Sequence, residues 1–293
     1  AELDTLRGGA ALLEDQSQCP FRAFARRRLR AEPLGEFAAG ITAAERGKIV
    51  HEALQALWTH IGDHRALLAL DEAALDGAVQ RAAEAGMAAL ADSRRRAVGS
   101  ACLELESDRL RALLREWLGV ECHRGDFTVA ALEQRVEINL EQLRLSLRVD
   151  RIDTLADGSQ VIIDYKTGSA RIADWLGARP PRPQLLLYGL AVHQPPAALA
   201  FAQVRPGECD YVGLGEVDSS PGVRADIAAA VKDKMTAADW AALNEEWRHN
   251  LQRLARDFVG GAAQVDPLRD ACTWCGLQAL CRVDATDVAE QNE

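Results

Sequence analysis

The sequence predicts an α/β fold carrying a helical insertion, and three observations point that way. Apolar residues recur at helical spacing through the first part of the chain. Alternation takes over from Phe127, and a short helical segment later separates two apolar strands as a crossover would. A composition of 48% hydrophobic and 27% charged residues in 293 suits a folded chain and excludes wholesale disorder. No apolar run reaches the ~20 residues that span a bilayer, and no basic, apolar leader is present. A soluble, cytoplasmic protein with no membrane partner is the expectation, and Ala1 in place of Met fits a piece of a longer polypeptide.

Leu34–Gly40 reads as a loop, and a helix with a clear start follows it. Thr42 and Glu45 form a capping-box pair, after which Ile49, Val50, Ala53, Leu54, Leu57, Trp58 and Ile61 recur at helical spacing. Ala- and Leu-rich stretches at Asp71–Ala91 and Val98–Val120 read as two further helices. Phe127–Leu140 is strand-like, and Leu143, Leu145, Leu147 and Val149 alternate with polar residues. Asp157-Gly158 marks a hairpin turn, and the strand Val161–Tyr165 is apolar enough to be central. Pro183 suits the first turn of a helix from Gln184 to about His193. Leu199–Val204 reads as another strand, and Ala237–Val259 as a long helix before a cysteine-rich tail.

Acids outnumber bases, 44 to 34, for a formal net charge of −10. That disfavours indiscriminate nucleic-acid binding but leaves room for a local basic site. Arg22, Arg26, Arg27, Arg28 and Arg30 form one candidate, with no acid between Cys19 and Ala31. Backbone phosphates or a solvated helix face would each account for that run. Only four of the 34 basic residues are Lys (Lys48, Lys166, Lys232 and Lys234), so each raises the question of why Arg would not serve. Three of seven cysteines, Cys272, Cys275 and Cys281, crowd near the C-terminus. An odd count in a cytosolic chain favours metal binding over a disulfide framework.

Asp164 and Lys166 lie two apart on a strand and project from one face, and Asp150 on the preceding strand stands near Asp164 across the hairpin. A symmetric two-residue turn would set Asp150 opposite Tyr165, so ideal pairing requires a bulge or a three-residue loop. Carboxylates converging on one point bind a hard divalent cation, and an adjacent ammonium steadies charge developing on a phosphoryl group. The plainer alternative for Asp-x-Lys is a solvated strand face. For His51, beside the apolar stripe of its helix, it is a structural histidine. Gln184 and Tyr188 share a helix face at i, i+4 spacing. Lys166-Thr167-Gly168 imitates a β-lactamase triplet, but no Ser-x-x-Lys accompanies it.

Four stretches in order resemble the RecB/AddB-like branch of the PD-(D/E)XK nuclease superfamily. They are Arg46-Gly47-Lys48-Ile49-Val50-His51-Glu52, Val149-Asp150-Arg151-Ile152-Asp153, Ile163-Asp164-Tyr165-Lys166-Thr167-Gly168 and Gln184-Leu185-Leu186-Leu187-Tyr188. The likeness runs from about Cys19 to Cys281. It implies a central mixed β-sheet flanked by helices, a restriction-endonuclease-like core. His51, Asp150 and Asp164 become ligands of Mg²⁺ or Mn²⁺, joined by the Tyr165 carbonyl. Lys166 becomes the catalytic lysine, with Asp150 and Asp164 beside it, while Gln184 and Tyr188 support the site or contact DNA. In a nuclease the arginine run, Arg22 and Arg26 included, is then expected to hold backbone phosphates. One departure stands out: Leu147 and Arg148 occupy the stretch where the family has a Gly shortly before the first Asp.

Three C-terminal thiolates need a fourth ligand, and spacing alone leaves Cys19, Cys102, Cys122 and Cys209 open. The resemblance selects Cys19, in Cys19-Pro20-Phe21, and implies a [4Fe–4S] cluster on Cys19, Cys272, Cys275 and Cys281 that staples the two ends together; Zn²⁺ is the alternative. The whole of 1–293 is then one nuclease domain. Its parts are N-terminal Cys and His-motif helices over 19–61, a helical insertion over 62–120, the core sheet over 127–210, and a C-terminal helix with the Cys cluster over 237–281. The expected function is a metal-dependent DNA exonuclease acting on ends or single strands in recombination or repair, with a helicase subunit or domain as partner. A non-catalytic DNA-binding scaffold in such a complex and a CRISPR-adaptation-type nuclease are the alternatives.

Overall fold

Two sequence periods build two kinds of layer: alternating strands form a sheet, and helices with one apolar face cover it on both sides. The computed structural model describes residues 6–33, 40–192, 195–217, 219–273 and 275–283. The chain opens with β1 (Leu6–Gly8), α1 (Ala10–Gln18) and α2 (Pro20–Ala23), which widens into a π-turn over Phe24–Arg28. Four helices of the N-terminal half follow, α3 (Ala43–Ile61), α4 (His64–Leu68), α5 (Glu72–Ala88) and α6 (Asp92–Val98), and then α7 (Ser100–Glu121). The central hairpins are β2 (Phe127–Leu140), β3 (Leu143–Leu155) and β4 (Gln160–Lys166). A 3₁₀ turn (Ile172–Trp175) and α8 (Gln184–Ala191) lead to β5 (Ala198–Gln203), β6 (Asp210–Gly215) and β7 (Val223–Arg224). The chain then runs through α9 (Ile227–Val231), α10 (Trp240–Val259) and α11 (Gln278–Cys281).

Among the described residues the sheet has seven strands, in the order β1-β3-β4-β5-β6-β7 with β2 also paired to β3. β2, β3 and β4 are antiparallel neighbours, whereas β4 and β5 run parallel, so α8 is the crossover the sequence pattern implied. On one face Ile162, Leu199 and Phe201 pack against Trp175, Leu185 and Leu187 and against Trp247 and Leu251 of α10. On the other, Val161, Ile163 and Tyr165 meet Leu54, Trp58, Ala82, Leu114 and Trp117 from α3, α5 and α7. Each fully buried large apolar side chain contributes about 1.5–3 kcal/mol, so both layers are strongly anchored. Gly86 brings α5 close to α3, because a β-carbon there would stand 2.6 Å from the Ile49 carbonyl oxygen. That contact seats the helix that carries His51.

The Thr42–Glu45 capping box forms with both of its reciprocal hydrogen bonds. The two insertion helices lie within a few residues of their expected bounds, and the arginine-rich joint between them is itself the helix α6. The long C-terminal helix starts at Trp240 rather than Ala237, because the Asp239 side chain accepts from the Ala242 amide as its N-cap. The hairpin between β3 and β4 resolves the pairing question. The Leu155 amide donates to the Ser159 carbonyl, leaving a three-residue loop that closes through Gly158 at φ +85°. Arg151 pairs with Ile163, so Asp150 extends this register to face Asp164. Apart from Gly40, the expected Leu34–Gly40 loop lies outside the described residues, as does His193.

Candidate active site

β3 and β4 deliver one aspartate each to the same point. Asp150 is 5% exposed and Asp164 fully buried. The Tyr165 amide donates to Asp150 Oδ2 at 2.9 Å, which fixes that carboxylate against the neighbouring strand. α3 carries His51 in from the other side. Its Nε2 lies 3.1 Å from the Tyr165 carbonyl oxygen, and its Nδ1 lies 3.5 Å from Asp150 Oδ2 and 4.0 Å from Glu133 Oε1. Ligand atoms of His51, Glu133 and Asp150 all fall within 4.8 Å of one another, the spacing of groups that share one cation.

Glu133 is the member that no motif singles out, as one of two glutamates on a strand of mixed polarity. Its backbone carries the signal: φ is +50°, a left-handed conformation rare for a residue with a long side chain. The β2–β3 ladder pairs Leu132 with Arg151 and Gln134 with Val149, which sets Glu133 across from Asp150. The Leu147-Arg148 departure also acquires a structural role here. Leu147 is buried in the core, and Arg148 Nε stands 2.8 Å from Glu133 Oε2.

Lys166 Nζ lies 2.6 Å from Asp164 Oδ2, yet among the described residues neither Asp164 oxygen has an aligned hydrogen bond. Lys166 also donates to Gln184 Oε1 at 3.3 Å, and the Gln184 amide donates to the Tyr188 hydroxyl at 2.5 Å. The first turn of α8 therefore reaches the lysine. Burial works against charge on Lys166, but Asp164 more than reverses it and raises its pKa, so the side chain stays an ammonium. Burial raises the pKa of Asp150 well above its ordinary 3.8, and the facing Asp164 adds to it. Burial also raises that of Glu133 and lowers that of His51, which keeps the imidazole neutral and able to ligate. Crowded carboxylates with too little compensating positive charge are what a bound divalent cation relieves.

The arginine run turns inward. Asp15, 2% exposed, takes Arg22, Arg26 and Arg27 at 2.7, 3.1 and 2.6 Å, while Arg26 also donates to the Cys275 carbonyl and Arg28 to the Phe258 carbonyl. These side chains fasten the N-terminal helices to the C-terminal segment, and Arg22 alone of the run also lines a cavity beside Lys166. Cys19 and Cys275 are buried, and Cys272 and Cys281 partly so. Burial raises the pKa of the Cys272 thiol, and Cys275, Cys19 and Cys281 act on it in the same sense, so the four sulfurs share one neighbourhood. Cys122 and Cys209 instead pack on the core beside α7, as small apolar side chains do.

The family model described as the PD-(D/E)XK nuclease superfamily matches residues 10–282. No curated protein matches. Among solved structures, the chain is similar to one described as "Crystal structure of SSO0001", at 14% identity over 92% of this chain and 94% of that one, with a TM-score of 0.32. A likeness that distant adds nothing to the assignment. The match over nearly the whole chain and the mixed sheet flanked by helices agree, and the chain belongs to the PD-(D/E)XK nuclease superfamily.

Proposed function

We propose that the protein is a Mg²⁺- or Mn²⁺-dependent deoxyribonuclease of the RecB/AddB-like branch, acting as an exonuclease on DNA ends or single strands. The observation that carries this reading is Asp164, fully buried, with Lys166 against one oxygen and no aligned hydrogen bond on either among the described residues, facing the His51–Glu133–Asp150 group. Lys166 offsets one charge there, but Asp150, Asp164 and Glu133 crowd together with Lys166 and Arg148 as the facing cations, and buried carboxylates in excess of cations are costly until a further cation joins them. The donor set of one neutral imidazole and three carboxylates fits a divalent ion. Such an ion, when bound, polarises a phosphoryl oxygen and acidifies water. His51, Asp150 and Asp164 hold it, Glu133 completes the carboxylate set, and the Tyr165 carbonyl is available as a further oxygen. Lys166, positioned by Asp164 and Gln184, places its ammonium against charge developing on the phosphoryl oxygens. Tyr188 holds Gln184 in place.

The same reading gives Cys19, Cys272, Cys275 and Cys281 a [4Fe–4S] cluster. Four thiols of one neighbourhood suit it. Supporting a single nuclease unit over 1–293, the Phe21 amide donates to the Gln264 carbonyl and the Leu268 amide to the Gln18 carbonyl, tying the two ends together. A helicase subunit or domain is the proposed partner and the cytoplasm the proposed location. Among the described residues, no helix is long and apolar enough to cross a membrane.

The deciding experiment follows end-labelled single-stranded and blunt duplex DNA with Mg²⁺, Mn²⁺ or chelator. Cleavage should require the metal and fall about 10²–10³-fold in Lys166→Ala and Asp164→Ala. Undiminished cleavage by both variants sinks the site. Anaerobically purified protein should be brown, whereas a colourless sample with stoichiometric zinc would replace the cluster by that ion.

A further inference from the structure

A cavity of about 670 Å³ opens beside Lys166, lined by Arg22, Arg171, Arg182 and Arg269 against Glu14, Asp174 and Asp270. Two of these arginines are set in place by a single buried carboxylate. Asp174, 3% exposed at the 3₁₀ turn, stands 3.2 Å from Arg171 and 3.7 Å from Arg182, and its carbonyl accepts from the Arg182 amide at 3.0 Å. The arginines themselves project outward, with side chains 71% and 41% exposed. Arg182 also donates to the Ser169 carbonyl, and two residues later Gln184 contacts Lys166. Bracing from inside and exposure outside is how an arginine fork is readied for an external anion, because the side-chain ordering cost is met before binding.

Resting on the nuclease reading above, we propose that this cavity receives the sugar–phosphate backbone of a single DNA strand next to the bond being cut, with Arg171 and Arg182 as a phosphate clamp positioned by Asp174. Two features select one strand over a duplex. The cavity is of the size that accommodates small ligands, whereas the major groove of a duplex alone is about 12 Å wide. Its walls also come from several separate segments, among them α1, α2, the end of β4, the 171–184 stretch and residues 268–273, which confine it on several sides. Asp174 is a positioning residue here: it touches the arginines and not the strand.

The test is equilibrium binding of a fluorescein-labelled oligothymidylate, in chelator, across a salt series, using the full chain. The Arg171→Ala/Arg182→Ala variant should bind about tenfold more weakly, with a salt slope shallower by about 1.4, since each phosphate contact on a single strand contributes about 0.7. Asp174→Asn keeps both cations, so its affinity should fall with the slope nearly unchanged. A dumbbell duplex closed at both ends should bind the double variant and the wild type alike. Wild-type slope and affinity in the double variant would overturn the proposal, as would an equal loss on the dumbbell. The double variant leaves the buried Asp174 without its two guanidinium partners and should unfold at a lower temperature than the wild type, so binding is measured well below that midpoint and the dumbbell separates a lost contact from a damaged fold. Binding in chelator is scored without cleavage, so persistent cleavage by Lys166→Ala and Asp164→Ala would remove the nuclease assignment of that site and leave this measurement standing.

Discussion

Two buried charge clusters share strand β3, and consecutive residues, Asp150 and Arg151, belong to different ones. Arg151 and Asp153 point to the α7 side, where they meet Glu121, Arg124, Tyr165 and Tyr211. Asp150 points to the other side, towards Asp164, Glu133 and His51. In the first cluster two guanidiniums face two carboxylates, all with side chains fully buried. All four carboxylate oxygens accept hydrogen bonds: those of Asp153 at 2.6 to 2.9 Å and those of Glu121 at 2.7 to 2.9 Å. Arg151 also stacks over Trp58, 4.0 Å from the ring centroid. In the second, three carboxylates face Lys166 and Arg148, and among the described residues Asp164 has no aligned hydrogen bond. A closed, neutral cluster holds a structure together. An open, anionic one is incomplete without a cation.

Breaking one partner of the closed cluster should have the largest effect on folding. Arg151→Met leaves Glu121 and Asp153 buried with too little positive charge, and should cost about 3–5 kcal/mol in urea unfolding. The parallel change in the open cluster, Asp164→Asn, removes a repulsive charge, and the metal-free protein should be at least as stable as the wild type. If both variants lose stability equally, the distinction between the two clusters fails. Next in size is the response to metal. At a Mg²⁺ or Mn²⁺ concentration a hundredfold above the dissociation constant, wild-type protein should gain about 2.7 kcal/mol. Asp164→Asn should gain much less, and Arg151→Met as much as the wild type. An undiminished gain in Asp164→Asn would place the ion elsewhere.

The open cluster was more legible in the sequence than the closed one. Asp150, Asp164 and Lys166 stand out because strand alternation and a short hairpin place them together, and His51 because its helix has an unmistakable cap. Glu133 escapes because its contribution depends on a left-handed backbone that no residue type there announces. The arginine run misleads for a related reason: its partner Asp15 lies on the preceding helix, out of register with any local pattern. In Asp150-Arg151-Ile152-Asp153 the first carboxylate belongs to the site, whereas the middle arginine and last aspartate belong to the closed cluster. Alternation alone separates Asp150 from Arg151, but only the fold brings Glu121 and Arg124 to meet the latter. The sheet centre was readable for the same reason as the site, through apolar strands bounded by a turn, while short edge strands such as β7 offer too few residues for a period.

The smallest effect separates the clusters by the sign of their pH response. Burial alone would raise the Glu121 pKa, but Arg151 and Arg124 more than reverse it and hold it below the ordinary 4.5. An acid with a depressed folded pKa adds stability above its unfolded value and loses it as pH falls through the folded one. Asp150 is shifted the other way, by burial and by Asp164, from an ordinary 3.8. Its contribution in metal-free protein is complete below that value and is lost as pH rises through the folded pKa. Urea midpoints measured in chelator between roughly pH 5 and pH 3 should therefore fall more steeply for the wild type than for Glu121→Gln, which is less stable throughout but flatter. Asp150→Asn should keep the acid-side loss and flatten the decline as pH rises. Parallel curves for Glu121→Gln and wild type would mean that the closed cluster does not stabilise the fold through the charge on Glu121. It would then differ from the open cluster in packing alone.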